Sequence, residues 1–193
     1  MKKLVFVVHS AGPQGDHLGS GDLVAHLQRA LGKAYRVVCP RMIDPDNPRY
    51  ITWKDQIDRE LTESEGRIVL VGHSLGGSVL IKYLAETYVE KPILGLCLVA
   101  APYWGRQGWA IADFALPDDL GRLSQIPHIA LYHSRDDAVV PFSHLTYYAT
   151  NLPHATVREL DEYGHLFVEG CKELLSDIRQ IYRKNKQHTL VSY

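Results

Sequence analysis

Residues 67–77 read Arg67-Ile68-Val69-Leu70-Val71-Gly72-His73-Ser74-Leu75-Gly76-Gly77, and this stretch decides the fold. Its first part, Ile68 to Val71, is a short apolar, mostly β-branched run of the kind found in strands buried within parallel sheets. After it, apolar residues recur at helical spacing, namely Val79, Leu80, Tyr83 and Leu84. The stretch therefore predicts a buried strand, a turn that carries Ser74, and the start of an amphipathic helix.

Two glycines bracket the serine on this turn. Gly72, Ser74 and Gly76 fit the pattern G-x-S-x-G, the nucleophile elbow, in which a sharp strand-to-helix turn raises the serine hydroxyl at the carboxyl edge of a sheet. Glycine is needed there because so tight a turn leaves no room for a neighbouring Cβ atom. The position between a predicted strand and a predicted helix favours a nucleophile over an ordinary helix-capping serine.

Size and charge restrict the classes of function. The 193 residues are near the mass of one ordinary domain, so we expect a single domain over 1–193. The net charge of −1 and the absence of a Lys/Arg run argue against nucleic acid or a membrane surface as the main partner, and favour small neutral substrates. The short apolar run that precedes His9 is not typical of a signal peptide, so we expect a cytoplasmic protein.

The cysteines indicate neither a metal site nor a disulfide framework. Cys39, Cys97 and Cys171 are odd in number, far apart and outside any C-x-x-C pattern. We expect free thiols in the core or at the surface, with no metal ion and no organic cofactor.

Apolar strand patterns and helical patterns alternate along the chain. Strands are predicted at 4–8, 35–39, 68–71, 93–99, 129–132 and 155–160, and helices at 22–31, 52–61, 79–84, 142–151 and 166–183, with Thr52 as a helix cap. This alternation predicts a three-layer α/β fold: a compact, six-stranded, mostly parallel sheet with helices on both faces. Functional loops are then expected at the carboxyl ends of the strands.

The segment 103–123 has no single period. It carries Trp104, Trp109 and Phe114 among glycines and acidic residues, and helical fragments are expected within it. We interpret it as a short cap-like insertion whose aromatic side chains line a substrate pocket. The alternative is a surface connection whose aromatic residues plug the edge of the core.

A nucleophilic serine needs a general base, and His165 is the best placed histidine. A serine hydroxyl becomes reactive when a histidine accepts its proton and an acid orients that histidine, and in the elbow fold the chain order is Ser, acid, His. His165 lies in the loop between the last strand and the last helix, at the edge expected for Ser74. The other histidines that follow the elbow helix fit less well, and they are His133, His144, His154 and His188.

The acid is expected after the fifth strand, where Asp136 and Asp137 are adjacent. The stretch from Ser134 to Pro141 matches a hydrolase pattern with the acid three residues before Val-Pro, which selects Asp137 and leaves Asp136 as the alternative. Asp161 is disfavoured because it precedes His165 too closely in the same loop.

Acyl transfer also requires donors for the developing oxyanion. The backbone N–H of Leu75, directly after Ser74, supplies one. The loop after the first strand supplies the second, with Ala11 preferred and Ser10 as the alternative. His73 is not expected to be catalytic, and we interpret it as support for the turn from the core side.

These residues together resemble the α/β-hydrolase superfamily. More narrowly, the chain resembles small serine hydrolases related to retinoblastoma-binding protein 9. The residues that carry the narrower resemblance are Asp44-Pro45-Asp46-Asn47-Pro48, Gly72-His73-Ser74, Ser134 to Pro141 and Gly164-His165. This family often has Pro-Gly-x-Gly after the first strand, where this chain has His9-Ser10-Ala11-Gly12, and no L-x-C-x-E segment is present to carry over binding to retinoblastoma-type proteins.

The resemblance implies a compact six-stranded sheet and a Ser-Asp-His hydrolase of small esters or amides, with Asp137 again as the acid. We therefore predict an esterase in which Ser74, His165 and Asp137 form the triad, acting without a cofactor as a monomer or weak homodimer. Two alternatives remain, an amidase or peptidase on the same triad and a protein-binding module with little turnover.

Overall fold

The computed structural model describes residues 2–105 and 109–190 of the protein. Residues 106–108 of the predicted cap lie outside this range. The sheet has six strands, as predicted, and their bounds are β1 Lys3–Val8, β2 Tyr35–Val38, β3 Ile68–His73, β4 Ile93–Val99, β5 Ile129–Ser134 and β6 Thr156–Leu160.

The helices alternate with the strands, as the sequence predicts. Their bounds are α1 Gly21–Leu31, α2 Tyr50–Glu63, α3 Leu75–Glu86, α4 Ser143–Asn151 and α5 Lys172–Leu190. No helix among the described residues is long and apolar enough to cross a membrane.

Among the helix starts that differ from the prediction, those of α5 and α2 have a clear physical reason. The last helix begins at Lys172 rather than Leu166, because Phe167 and Gly170 have φ values of 52° and 79°, which a right-handed helix does not allow. Helix α2 begins at Tyr50, so Thr52 lies inside it and is not its cap. The backbone N–H of Tyr50 donates to Asp113 Oδ2 at 2.9 Å, so the segment after β4 provides the capping group.

All strand pairings in the sheet are parallel, and the order is β2-β1-β3-β4-β5-β6. After β1 the chain continues to β2 on one side of the sheet, and after β3 it continues to β4 on the other side. The carboxyl ends of β1 and β3 therefore form the topological switch point, where ligands bind in open α/β sheets. Ser74 follows β3, and Ser10 and Ala11 follow β1, so the predicted nucleophile and oxyanion loop meet there.

The core consists of two layers, one on each face of the sheet. Along β1, Leu4, Phe6 and Val8 pack with α2 and α3, whereas Val5 and Val7 face α1 and α5. This alternation follows from the two-residue period of a strand. Both sets are buried because helices cover both faces, which explains why β1 and β3 read as continuous apolar runs.

The segment after β4 contains two short 3-10 turns, at Ala112–Phe114 and Gly121–Gln125. Phe114 and Leu123 are buried against the layer that contains α2 and α3. Lys82 of α3 donates to the backbone oxygen of Asp113 at 2.9 Å. The described parts of this segment are therefore attached to α2 and α3 rather than projecting as a separate lid.

Candidate active site

The turn after β3 has the geometry of a nucleophile elbow. Ser74 has φ 52° and ψ −124°, a strained conformation for a residue with a side chain. A Cβ atom on Gly76 would lie 2.2 Å from the backbone oxygen of Val8, and one on Gly72 would lie 2.4 Å from Cα of Gly77. Both positions therefore require glycine, and the elbow packs directly against the end of β1.

The structure brings Ser74, His165 and Asp137 together. His165 Nε2 lies 3.0 Å from Ser74 Oγ, and His165 Nδ1 lies 2.8 Å from Asp137 Oδ2. Because a carboxylate only accepts, the proton is assigned to Nδ1 of His165, and Nε2 is left to accept from the serine hydroxyl. This arrangement can remove a proton from Ser74 and return it to a leaving group.

Asp137 is held on both oxygens. Its Oδ1 accepts from the backbone N–H groups of Val139 and Val140 at 2.8 and 2.9 Å. Its Oδ2 also lies 3.2 Å from Nε2 of the buried His133. Burial alone would raise the pKa of Asp137, but the hydrogen bonds from His133, His165 and Val140 outweigh it and hold that pKa well below its usual range.

Asp136 serves a different part of the site. It is exposed, it accepts a short hydrogen bond from Ser134 Oγ, and its Oδ1 also accepts from the backbone N–H of Gly164 at 3.2 Å. Those hydrogen bonds lower its pKa. Asp136 therefore braces the loop that carries His165, while Asp161 forms a surface ion pair with Arg135.

The backbone N–H groups near the elbow differ in whether they already have acceptors. Ser10 N–H donates to Ser20 Oγ at 2.8 Å, and Gly12 N–H donates to the backbone oxygen of Pro45 at 2.7 Å. Within the described part of the chain, the N–H groups of Ala11 and Leu75 donate to no acceptor. The preference for Ala11 over Ser10 thus gains a physical reason, since Ser10 already donates elsewhere.

His73 is buried behind the elbow and bridges two other loops. Ser20 Oγ lies 2.7 Å from His73 Nδ1, and His73 Nε2 lies 2.8 Å from the backbone oxygen of His165. Because that oxygen only accepts, Nε2 of His73 carries the proton and Nδ1 accepts from Ser20. Burial, followed by the nearby His165, lowers the pKa of His73 to about 4, so it is neutral at pH 7.

His9 holds the loop after β1 in a similar way. The backbone N–H of Met42 donates to His9 Nε2 at 2.8 Å, which leaves Nδ1 to donate to the backbone oxygen of Ser10 at 2.6 Å. Burial lowers the pKa of His9. Sequence reasoning gave no role to His9, Ser20 or His133, because an isolated histidine or a serine before a helix has no pattern that marks its distant partner.

The three aromatic residues predicted to line a pocket form one cluster. The ring centre of Trp104 lies 5.0 Å from that of Trp109 and 5.3 Å from that of Phe114. Trp109 also contacts His144, whose Nδ1 accepts from the backbone N–H of Tyr103 at 2.7 Å. Phe114 is buried in the core beneath Trp104, and the two tryptophans remain partly exposed.

A cavity of about 890 Å³ lies elsewhere, at the amino ends of β3 and β4, where Arg67, Ile93 and Arg122 line it. The cavity lies at the amino ends of the strands and Ser74 lies at their carboxyl ends, so the cavity is not the reaction site despite its size. Within the described residues, no group of three His, Cys, Asp or Glu side chains is arranged to hold a metal ion.

Comparison with known proteins adds a family match to this geometry. A profile of the family described as serine hydrolase matches residues 19–180. The matched segment contains Ser20, Ser74, Asp137 and His165, and it begins after the loop that carries Ala11. No curated protein matches the chain.

Several solved structures share the fold. The ydeN gene product from B. subtilis has a TM-score of 0.79 at 20% identity, covering 94% of this chain and 100% of that one. A meta-cleavage product hydrolase from Pseudomonas fluorescens IP01 has a TM-score of 0.71 at 16% identity, covering 95% and 91%. A serine hydrolase involved in carbazole degradation has a TM-score of 0.70 at 12% identity, covering 94% and 91%.

The buried His73 predicts a loss of stability in acid. In the unfolded chain His73 binds a proton as the pH falls through 6.5, whereas in the folded protein it binds one only near pH 4. The free energy of unfolding therefore keeps its full value above pH 6.5 and decreases as the pH falls from 6.5 to about 4. His165, Asp137 and His9 surround His73, and the lowered pKa of His9 adds a change in the same direction. The titration of His73 alone should lower the free energy of unfolding by about 3 kcal/mol.

Urea unfolding of the wild type and of His73→Gln at pH 7, 5.5 and 4.5 measures this contribution. The free energy of unfolding of the glutamine variant should depend less steeply on pH, and the difference in slope should correspond to about one proton at most. Equal slopes in the two proteins would contradict the assignment of a neutral, buried His73.

Proposed function

The chain belongs to the serine hydrolase family, and we propose that it hydrolyses small carboxylic esters through Ser74, His165 and Asp137. The observation that carries the proposal is the pair of contacts made by one imidazole ring: His165 Nε2 is 3.0 Å from Ser74 Oγ, and Nδ1 is 2.8 Å from Asp137 Oδ2. A hydroxyl, a base and an orienting carboxylate within hydrogen-bond reach are the requirements for covalent acyl transfer.

The first half of the reaction forms an acyl-enzyme. Ser74 Oγ attacks the ester carbonyl carbon while His165 Nε2 accepts the hydroxyl proton. The resulting imidazolium is stabilised by Asp137, whose lowered pKa keeps it ionised. When the tetrahedral intermediate collapses, the bond to the alkoxy oxygen breaks, and His165 returns the proton to the departing alcohol.

Water completes the second half. His165 removes a proton from water, hydroxide adds to the acyl carbon, and the intermediate releases the carboxylic acid and regenerates Ser74. In both halves the carbonyl oxygen becomes an oxyanion, which the backbone N–H groups of Leu75 and Ala11 bind. Leu75 is the first residue of α3, so the positive end of the helix dipole also favours negative charge there.

The proposed substrate class rests on carbonyl reactivity and on the aromatic cluster of segment 103–123. Esters are proposed over amides because an ester carbonyl has less resonance stabilisation than an amide carbonyl and is therefore attacked more readily by a serine hydroxyl. Trp104 and Trp109 provide an apolar wall for a short acyl group, with Phe114 supporting Trp104 from the core. Segment 103–123 is too short for a large lid, so long-chain glycerides should be poor substrates.

We also propose that the protein acts in the cytoplasm, as a monomer or weak homodimer, on small molecules rather than nucleic acid or membranes. The net charge of −1 supports this choice of partner. Cys39, Cys97 and Cys171 are free thiols, which is compatible with a reducing compartment. Burial raises the pKa of each thiol to about 12.

Labelling with a fluorophosphonate tests the nucleophile. Native protein should be modified at Ser74, because His165 activates that hydroxyl, and Ser74→Ala or heat-unfolded protein should not be labelled. Turnover of p-nitrophenyl acetate and p-nitroacetanilide then measures the choice between ester and amide. A folded wild-type protein that stays unlabelled would exclude the serine hydrolase mechanism, and equal turnover of both substrates would favour the amidase alternative.

The adjacent aspartates allow a matched test of the acid. Asp137→Asn should leave the fold nearly intact but lower kcat by about 10³- to 10⁴-fold, because His165 loses control of its tautomer. Asp136→Asn should have a far smaller effect on kcat, since Asp136 braces the loop from outside. Steady-state ester kinetics with the reverse ranking would show that Asp136 is the acid.

Trp109→Ala tests the proposed acyl pocket. Wild-type kcat/KM across p-nitrophenyl esters should fall steeply beyond a short optimum, by about 1–3 kcal/mol for each methylene that the pocket excludes. The variant should have a flatter chain-length profile with acetyl ester turnover largely unchanged, because the triad is untouched. If the profile does not move, or if the variant unfolds, Trp109 is a packing residue and not part of the pocket.

A further inference from the structure

Ser20 occupies the helix N-cap position of α1 without capping the helix. The residue is 1% exposed, and its side chain makes no hydrogen bond to the first turn of α1. A serine at this position normally accepts from a backbone N–H of that turn and thereby stabilises the helix. The hydroxyl of Ser20 is therefore committed to other partners.

Those partners form a directed chain of hydrogen bonds. Ser10 N–H donates to Ser20 Oγ at 2.8 Å, Ser20 Oγ–H donates to His73 Nδ1 at 2.7 Å, and His73 Nε2–H donates to the backbone oxygen of His165 at 2.8 Å. We call these four residues the Ser20–His73 relay. It begins in the loop after β1, passes behind the elbow, and ends in the loop after β6.

We propose that Ser20 and His73 are positioning residues that hold the Ser10–Ala11 loop in register with His165. The inference rests on the proposed function, in which Ala11 N–H binds the oxyanion and His165 moves the proton. These two groups come from loops that are 154 positions apart in the chain, and both must lie close to the same carbonyl group. The relay supplies a fixed connection between them.

The direction of every bond in the relay is determined. The backbone oxygen of His165 can only accept and Ser10 N–H can only donate, so each intervening group must accept from one side and donate to the other. A neutral imidazole and one hydroxyl satisfy this requirement in buried space without leaving an unpaired polar atom.

The loop after β1 is also braced internally. Gln14 Nε2 donates to the backbone oxygens of Ser10 and Gly12 at 3.1 and 3.0 Å, and Gln14 Oε1 accepts from Ser20 N–H at 2.9 Å. Gln14 thus fixes the shape of the loop, whereas Ser20 Oγ connects it to the elbow. A defect in the relay should therefore displace an intact loop rather than unfold it.

Ser20→Ala and His73→Leu, which removes both the donor and the acceptor of the ring, test the relay, with Tyr182→Phe as the matched control. The control deletes a buried hydroxyl that donates to the backbone oxygens of Leu4 and Arg67 at the opposite sheet edge. Both relay variants should lower kcat for p-nitrophenyl acetate by about 10- to 100-fold with KM changed less than about threefold, since small misplacements near the reacting atoms act on the transition state. Tyr182→Phe should lower stability with kcat nearly unchanged.

A trifluoromethyl ketone inhibitor separates positioning from packing, because its serine adduct carries an oxyanion. Its affinity for Ser20→Ala should fall by about the same factor as kcat/KM, and a Ser20→Ala/His73→Leu double variant should be little slower than the slower single variant. Ser20→Thr, which keeps the hydroxyl, should recover most of the rate. A relay variant that loses stability but keeps wild-type kcat, or additive losses in the double variant, would overturn the inference.

Nitrogen NMR shifts of His73 in the wild-type protein give a test that needs no turnover. Nε2 should be protonated and Nδ1 unprotonated at pH 7, and the Nδ1 shift should change in Ser20→Ala. The opposite tautomer in the wild-type protein would exclude the relay even if the relay variants fail to fold. An Nδ1 shift that is unchanged in folded Ser20→Ala would exclude it as well. If the NMR result agrees but the wild type is not labelled by fluorophosphonate, the esterase proposal fails and the kinetic role falls with it.

Discussion

The contact between the elbow and the end of β1 determines how the rest of the site is built. Gly76 lies so close to the backbone oxygen of Val8 that even a methyl group would overlap it. This approach is possible because β1 and β3 are neighbours in the sheet, and it brings the loop after β1 beside Ser74. Ser74, the proposed nucleophile, and the loop that carries Ala11 thus follow two adjacent strands and lie at the switch point of the sheet.

Buried histidines organise the loops around that contact. His9, His73 and His133 lie at the carboxyl ends of β1, β3 and β5, and each ring bonds the backbone of a nearby loop. A neutral imidazole suits this task because it offers one donor and one acceptor on a compact ring. For His9 and His73, burial lowers the pKa and keeps the neutral form at pH 7, so this scaffold should lose stability in acid.

Asp136 and Asp137 show how one pair of like residues divides its roles by environment. Asp137 has a fully buried side chain and accepts from His165, His133 and two backbone N–H groups, which makes it a rigid acceptor. Asp136 is exposed and braces the loop that brings His165 into reach. Although the two residues are adjacent in the chain, the side chain of Asp137 is buried against His165 and that of Asp136 is exposed beside the loop that carries His165.

Local patterns determined the α/β fold and the alternation of strands and helices, because strand and helix periods and the glycines around Ser74 are properties of short segments. They also selected Ser74, His165 and Asp137, since the chain order and the ends of strands limit which residues can meet. The start of α2 at Tyr50, the hydrogen bond that commits the Ser10 N–H to Ser20, and the contacts of His9 and His133 were decided only by the tertiary structure. Each depends on a hydrogen-bond partner distant in the sequence, and no local period records which distant atom a buried polar group will meet.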